Sequence, residues 1–392
     1  ATSSTISNPT PGSNPTTVTT VDVAPDVVPD GRVLVVVELA GGNDAVNTLV
    51  PLTGPSVGVY RDVRPSLALA EADLVALGSS AHGLHPSLAP LTAYVDDRLA
   101  VVAGIGFPDP DRSHFVSFDR WWRADRLDDA DGWLGRWLAT LPPDSLGALG
   151  ATAIGKGSPV LRSSTASSTV IAAPEAFALP GALGSSLAAF AEGASSSDPV
   201  LDAARRAWGS ATDAVDQFAP IAARAEADGS DEYGAAAGFA AGLQLAAEIV
   251  VGDVGARVVV VSVGGFDTHS NQLETHAALL ADLADGVQRF WATVDAAEQG
   301  DRVLLITQSE FGRRVAQNGS AGCDHGAAGV SFAMGSSIVP GLHGAVDLTD
   351  LLDGDVRPTI DPRALFTVAL DWLGGDVERI LGHRYGELDL LT

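Results

Sequence analysis

The chain has 392 residues, 46% hydrophobic and 18% charged, which is enough to bury a large core. Its formal net charge is −26, with 23 basic against 49 acidic residues, a field that opposes nucleic acid and anionic membrane surfaces. A lone cysteine, Cys323, excludes an internal disulfide and a thiolate metal cage, and no apolar run reaches the roughly 18 residues of a membrane helix.

Residues 1–31 are rich in Thr, Ser, Pro and Asn and carry no charge before Asp22. They read as a flexible tether, with a short strand expected at Thr16–Val23. A start at Ala1 rather than Met, followed by that polar run, is the pattern of a mature terminus after signal removal, so export is expected. The folded part is expected to begin at Arg32 and to form a single domain.

From there, continuous β-branched runs at Val33–Leu39, Leu99–Ala103, Arg257–Val263 and Arg302–Thr307 predict strands buried on both faces, as in a parallel sheet. Helical spacing separates them: after Ser113, and over Pro199–Glu226, Tyr233–Ile249, Leu273–Ala297 and Pro362–Trp372. Strands alternating with helices predict an α/β fold, a mostly parallel central sheet with helices on both faces. Residues 140–200, rich in Ala, Ser, Gly and Pro, read as an irregular insertion able to cover a site. Trp121, Trp122 and Trp133 read as core aromatics, and His82, His85, His276, His343 and His383 stand outside the motifs described next.

In open α/β sheets, ligands bind beyond the carboxyl ends of the strands. After the first strand comes GGND (residues 41–44). After the second comes a loop ending in DRSHF (111–115). After the third comes GGFDTH (264–269). After the fourth come SEFGRR (309–314) and DHG (324–326). Each strand thus ends in a polar segment with a carboxylate or histidine. Carboxylates and imidazoles without thiolates suit a hard or borderline divalent cation. Asp267 and His269, two apart, can aim at one ion from an extended loop. Arg112, Arg313 and Arg314 flank these segments, and guanidinium groups suit a phosphoryl or sulfuryl oxyanion.

The order GGND, SHF, GGFDTH, SEFGRR and DHG, spanning roughly Arg32 to His383, resembles a family of exported bacterial proteins of unassigned function grouped with the alkaline phosphatase and sulfatase superfamily. The resemblance implies an alkaline-phosphatase-like fold and these roles: Asp44 as first metal ligand with Asn43 beside it, Ser113 as nucleophile, and Asp267 and His269 as a ligand pair. It places Glu310 at the position of a further acidic ligand, and His325, with Asp324 beside it, at the last histidine. His114 is expected to serve catalysis or to complete the metal site. Arg112, Arg313 and Asn43 are expected to bind substrate.

Two departures stand out. Phe311 occupies the position of a second-site histidine, and a phenyl ring cannot bind a metal. The sulfatase signature of Cys, Pro and Arg is absent, which argues against a formylglycine nucleophile. The expected activity is hydrolysis or transfer at a phosphate or sulfate ester, with zinc, manganese or calcium as cofactor and Ser113 or a bound water as nucleophile. The alternative is an exported binding or assembly protein with a degenerate site, acting on a protein partner. Export of an already folded, metal-loaded chain would use a twin-arginine signal.

Overall fold

The computed structural model describes residues 31–392 apart from 79, 143–144, 173–185, 187–188, 194–196, 228–237, 253 and 387. The expected strand at Thr16–Val23 and most of the tether lie outside the described residues. An eight-stranded sheet carries the order β11-β5-β10-β9-β1-β8-β6-β7. Its strands are β1 (Val33–Leu39), β5 (Leu99–Ile105), β6 (Ala151–Ile154), β7 (Thr169–Ile171), β8 (Val258–Val263), β9 (Val303–Gln308), β10 (Gly329–Met334) and β11 (Gly341–Gly344). β1 runs parallel to both neighbours, Val36 pairing with Val260 of β8 and with Ile306 of β9. Only β10 is reversed, antiparallel to β9 and β5. The sheet is therefore mostly parallel, as the sequence leads one to expect. Among the described residues there are also two small antiparallel sheets: β2 (Leu49–Pro51) with β4 (His82–Leu84) and β3 (Val75–Ala76), and β12 (Leu351–Leu352) with β13 (Asp355–Val356).

Alternation along β1 explains why it reads as an unbroken apolar run. Val33, Val35 and Val37 face one core, shared with Leu243 and Phe239 of α6 (Phe239–Val251) and with Phe290 and Trp291 of α7 (Gln272–Ala296). Leu34 and Val36 face the other core, shared with Trp133 and Trp137 of α4 (Trp133–Leu138) and Phe366 and Leu370 of α8 (Pro362–Leu373). Both faces are covered by helices, so neither tolerates polar alternation. Further α-helices among the described residues are α1 (Ala45–Thr48), α2 (Ser56–Val63), α3 (His114–Arg123), α5 (Pro199–Ala227) and α9 (Val377–Leu381). Among the described residues, no helix is long and apolar enough to cross a membrane.

The stretch 140–200, expected as an irregular insertion, contributes β6 and β7 to the sheet edge beside β8. These strands are four and three residues long, too short for an apolar-run reading.

Candidate metal centre

Seven of the eight strands point the same way, so their carboxyl ends share one edge. Because β10 is reversed, the residues just before it lie at that edge too. The loops after β1, β5, β8 and β9 and the segment ahead of β10 therefore meet there.

Asp267 stands at the centre. Its Oδ1 lies 3.0 Å from His269 Nε2, 3.2 Å from His325 Nε2 and 3.4 Å from His114 Nε2. His269 and His325 face each other Nε2 to Nε2 at 2.8 Å. The other nitrogen of each ring fixes which one carries the proton. His325 Nδ1 donates to the carbonyl oxygen of Arg112 at 2.7 Å, and a carbonyl can only accept. His269 Nδ1 meets the Asp324 carboxylate at 3.1 Å, and His114 Nδ1 meets Glu310 Oε1 at 2.9 Å. In the neutral rings, all three Nε2 atoms are then lone pairs turned toward Asp267. His114 Nε2 is buried without a hydrogen-bond partner.

Lone pairs converging on a carboxylate repel unless a cation or a proton lies between them. Ligands on one ion at about 2.0–2.1 Å sit about 3 Å apart, the spacing found here. The chain's own atoms thus fit a divalent ion, and His114, Asp267 and His325 bring ligand atoms within 4.8 Å of one another. Imidazoles held by carboxylate and carbonyl acceptors are the usual outer support of such ligands.

Arg313 holds this arrangement from beneath. It is fully buried and donates to Asp267 Oδ1 at 2.7 Å, to the carbonyls of Phe266 and Gly42, both at 2.8 Å, and to those of Cys323 at 3.1 Å and Gly41. Burial alone would raise the Asp267 pKa, but the Arg313 hydrogen bond and charge outweigh it and bring it down to about 2. The GG pair has a steric reason. Gly41 sits at φ 120°, where a Cβ would lie 2.4 Å from the Asp267 nitrogen, and its N–H donates to both Glu310 oxygens.

Phe311 is buried, with its ring centre 4.8 Å from those of both His114 and His325. It faces the centre and offers it no ligand.

Several expected site residues lie elsewhere. Asp44 is fully buried, caps α1 through Val46 N, and pairs with Arg64 and Gln272, so its oxygens are engaged away from the histidines. Burial pulls its pKa up, yet Arg64 brings it below the usual carboxylate value. Asn43 is also buried, bonded to Thr48 and, at 2.9 Å, to His276 Nε2, rather than presented to a substrate. Arg313 is committed to carbonyls and Asp267, not open to an anion. Glu310 backs His114 and Gly41, one step behind the ligand atoms, and Asp324 backs His269. Ser113 sits half-buried ahead of α3, beside His114; its hydroxyl makes no capping bond, and its N–H donates to Asp111 Oδ1 at 2.6 Å. Arg112 reaches Asp355. The sequence reading had no place for Asp355, Arg64 or Gln272, whose only signal is their type.

Fold and site together define an α/β domain with a histidine–carboxylate metal-competent cluster at the carboxyl edge of a mostly parallel sheet. The chain belongs to the DUF1501 family, a protein family of unknown function, whose model matches residues 129–390. That span holds GGFDTH, SEFGRR and DHG, whereas GGND and SHF precede it. No curated protein sequence matches. Among solved structures, the chain is similar to Ps i-CgsB (10% identity, 90% of this chain and 75% of that one, TM-score 0.38). It is also similar to the PsFucS1 sulfatase from Pseudoalteromonas sp. (11%, 91% and 70%, 0.37) and the phosphonate monoester hydrolase SpPMH from Silicibacter pomeroyi (10%, 92% and 78%, 0.36).

Proposed function

We propose that the chain is an exported metal-dependent hydrolase or transferase acting on phosphate or sulfate esters. The observation that supports this most is the convergence of three Nε2 atoms on Asp267 Oδ1, with every Nδ1 held by an acceptor. His114, Asp267 and His325 would hold the ion, with His269 as the fourth donor, Glu310 and Asp324 orienting the rings and Arg313 orienting Asp267. A divalent ion there supplies Lewis acidity toward an ester oxyanion and eases deprotonation of a nearby hydroxyl or water. The nitrogen-rich donor set favours zinc over manganese or calcium, which are better suited by oxygen ligands. Ser113, next to His114 with an uncommitted hydroxyl, is the nucleophile on this reading; a water is the alternative. Export rests on the motif resemblance to exported bacterial proteins, and a twin-arginine signal fits a chain that loads its metal while folding inside the cell.

The second reading is a binding or assembly protein with a degenerate site. Phe311, whose ring packs against both His114 and His325 and offers no donor, favours it. Metal analysis combined with a panel of phosphate and sulfate esters separates the two. Turnover that disappears in Ser113→Ala, together with a serine-linked adduct, supports catalysis. Bound metal with no turnover of any ester supports the binding protein.

A further inference from the structure

The fully buried Asp355 of β13 is faced by two arginines that leave the centre's edge from different loops. Arg112 Nε and Nη2 donate to its Oδ2 at 2.8 and 2.5 Å, and Arg314 Nε lies 3.5 Å from its Oδ1. Arg314 Nη2 donates to the Asp353 carbonyl at 2.6 Å. No described residue hydrogen-bonds Nη1 of either group, and the two side chains are 41% and 36% exposed. Asp355 thus holds one edge of Arg112 by hydrogen bonds and faces Arg314 as an ion pair, while the Asp353 carbonyl fixes Arg314, and each guanidinium keeps Nη1 toward solvent: two cations beside one buried carboxylate.

Both arginines are tied to the centre by backbone. The Arg112 carbonyl accepts from His325 Nδ1, on the side of the ring away from Asp267. The Arg314 N–H donates to the Asp324 carbonyl, next to His325. Their guanidinium groups bond none of His114, Asp267, His269 or His325. An oxyanion held between them is therefore a separate group from an ester bound at the ligand atoms.

We propose that Arg112 and Arg314, clamped on Asp355, form a subsite for a second anionic group of the substrate, a sulfate, phosphate or carboxylate borne away from the scissile ester. This rests on the hydrolase reading for the word substrate, but the subsite itself does not need turnover. Free guanidinium edges suit oxyanions in paired hydrogen bonds, and in a chain of net charge −26 an anion needs such a local cation.

The test is calorimetric titration of inorganic sulfate into the full-length protein as purified, at constant ionic strength, with no ester present. Sulfate affinity is expected to fall about tenfold in Arg314→Gln and in Arg112→Gln, the scale of one charge-assisted hydrogen bond. It is expected to persist in His269→Ala, which removes a donor of the metal cluster and touches neither guanidinium. Arg314→Gln leaves the Arg112–Asp355 pair intact, so its melting temperature is expected to match the wild type. A wild type that does not bind sulfate, arginine variants that bind it equally well, or loss in His269→Ala would overturn the proposal. Failure of the hydrolase reading would show separately, as bound sulfate without ester turnover.

Discussion

His269 and His325 oppose each other Nε2 to Nε2 at 2.8 Å, each with its proton drawn to the far side of the ring. Two acceptors that close need a cation or a proton between them, and the metal reading is tested by adding and removing zinc. Zinc at a hundred times its dissociation constant should stabilise the fold by about 2.7 kcal/mol. The expected outcome is a melting temperature that falls with a chelator and recovers with zinc. His325→Ala should abolish the recovery, read by calorimetry with and without metal.

Phe311 predicts the stoichiometry. With a ring at 4.8 Å from both His114 and His325 and no donor to offer, it should hold the site to one ion per chain. Phe311→His should raise the metal content toward two, or tighten a second ion, by elemental analysis. Two ions in the wild type would mean that the ligand set extends beyond the cluster described.

Asp44 and Arg64 predict a separation of stability from metal binding. Both are wholly buried and paired. Removing one partner of a buried pair costs about 3–5 kcal/mol. Arg64→Met should therefore lower the denaturation midpoint sharply while one ion per folded chain persists. Loss of metal in Asp44→Asn at full stability would place Asp44 among the ligands after all.

His276 and His85 predict an acid limb of stability. Burial brings each pKa down from 6.5 to about 4. The unfolded chain then takes up protons first, so stability is complete above pH 6.5 and is lost as pH falls toward 4. At about 1.36 kcal/mol per unit, each ring contributes on the order of 3 kcal/mol to that loss. Urea midpoints across pH 4–7 should show a shallower slope in His276→Gln than in the wild type.

Glu38 works in the opposite direction. It is buried beside Ser158 and Gln308, and burial raises its pKa. Above its unfolded value of 4.5, charge in the core disfavours the folded state. Glu38→Gln should be neutral or stabilising near pH 7, with the advantage fading below pH 4.5, by the same urea series.

The four long strands were legible because both faces of the sheet are covered, which forces unbroken β-branched runs. The motif ends were legible for the same reason, since they follow those runs. β10 was not read from the sequence: its Gly329, Ser331 and Ala333 break the apolar pattern, and it is held instead by reversed pairing with β5 and β9. Asp44 was read by its place after a strand, but no local spacing announces that Arg64 folds back onto it. Arg313 and Glu310 show the same limit. Residue type and loop position put them at the site, while only packing decides that one serves carbonyls and the other backs His114.

The reversed strand has a consequence for how such a site can diverge. The chain leaves β9 at Gln308 and re-enters the sheet at Gly329 without crossing to the opposite edge. One uninterrupted excursion therefore supplies Glu310, Phe311, Arg313, Arg314, Asp324 and His325. In genetic terms it is a single cassette: a duplication, deletion or exchange confined to it can rewrite metal number, ring support and one arm of the arginine clamp together, while the strand order stays as it is.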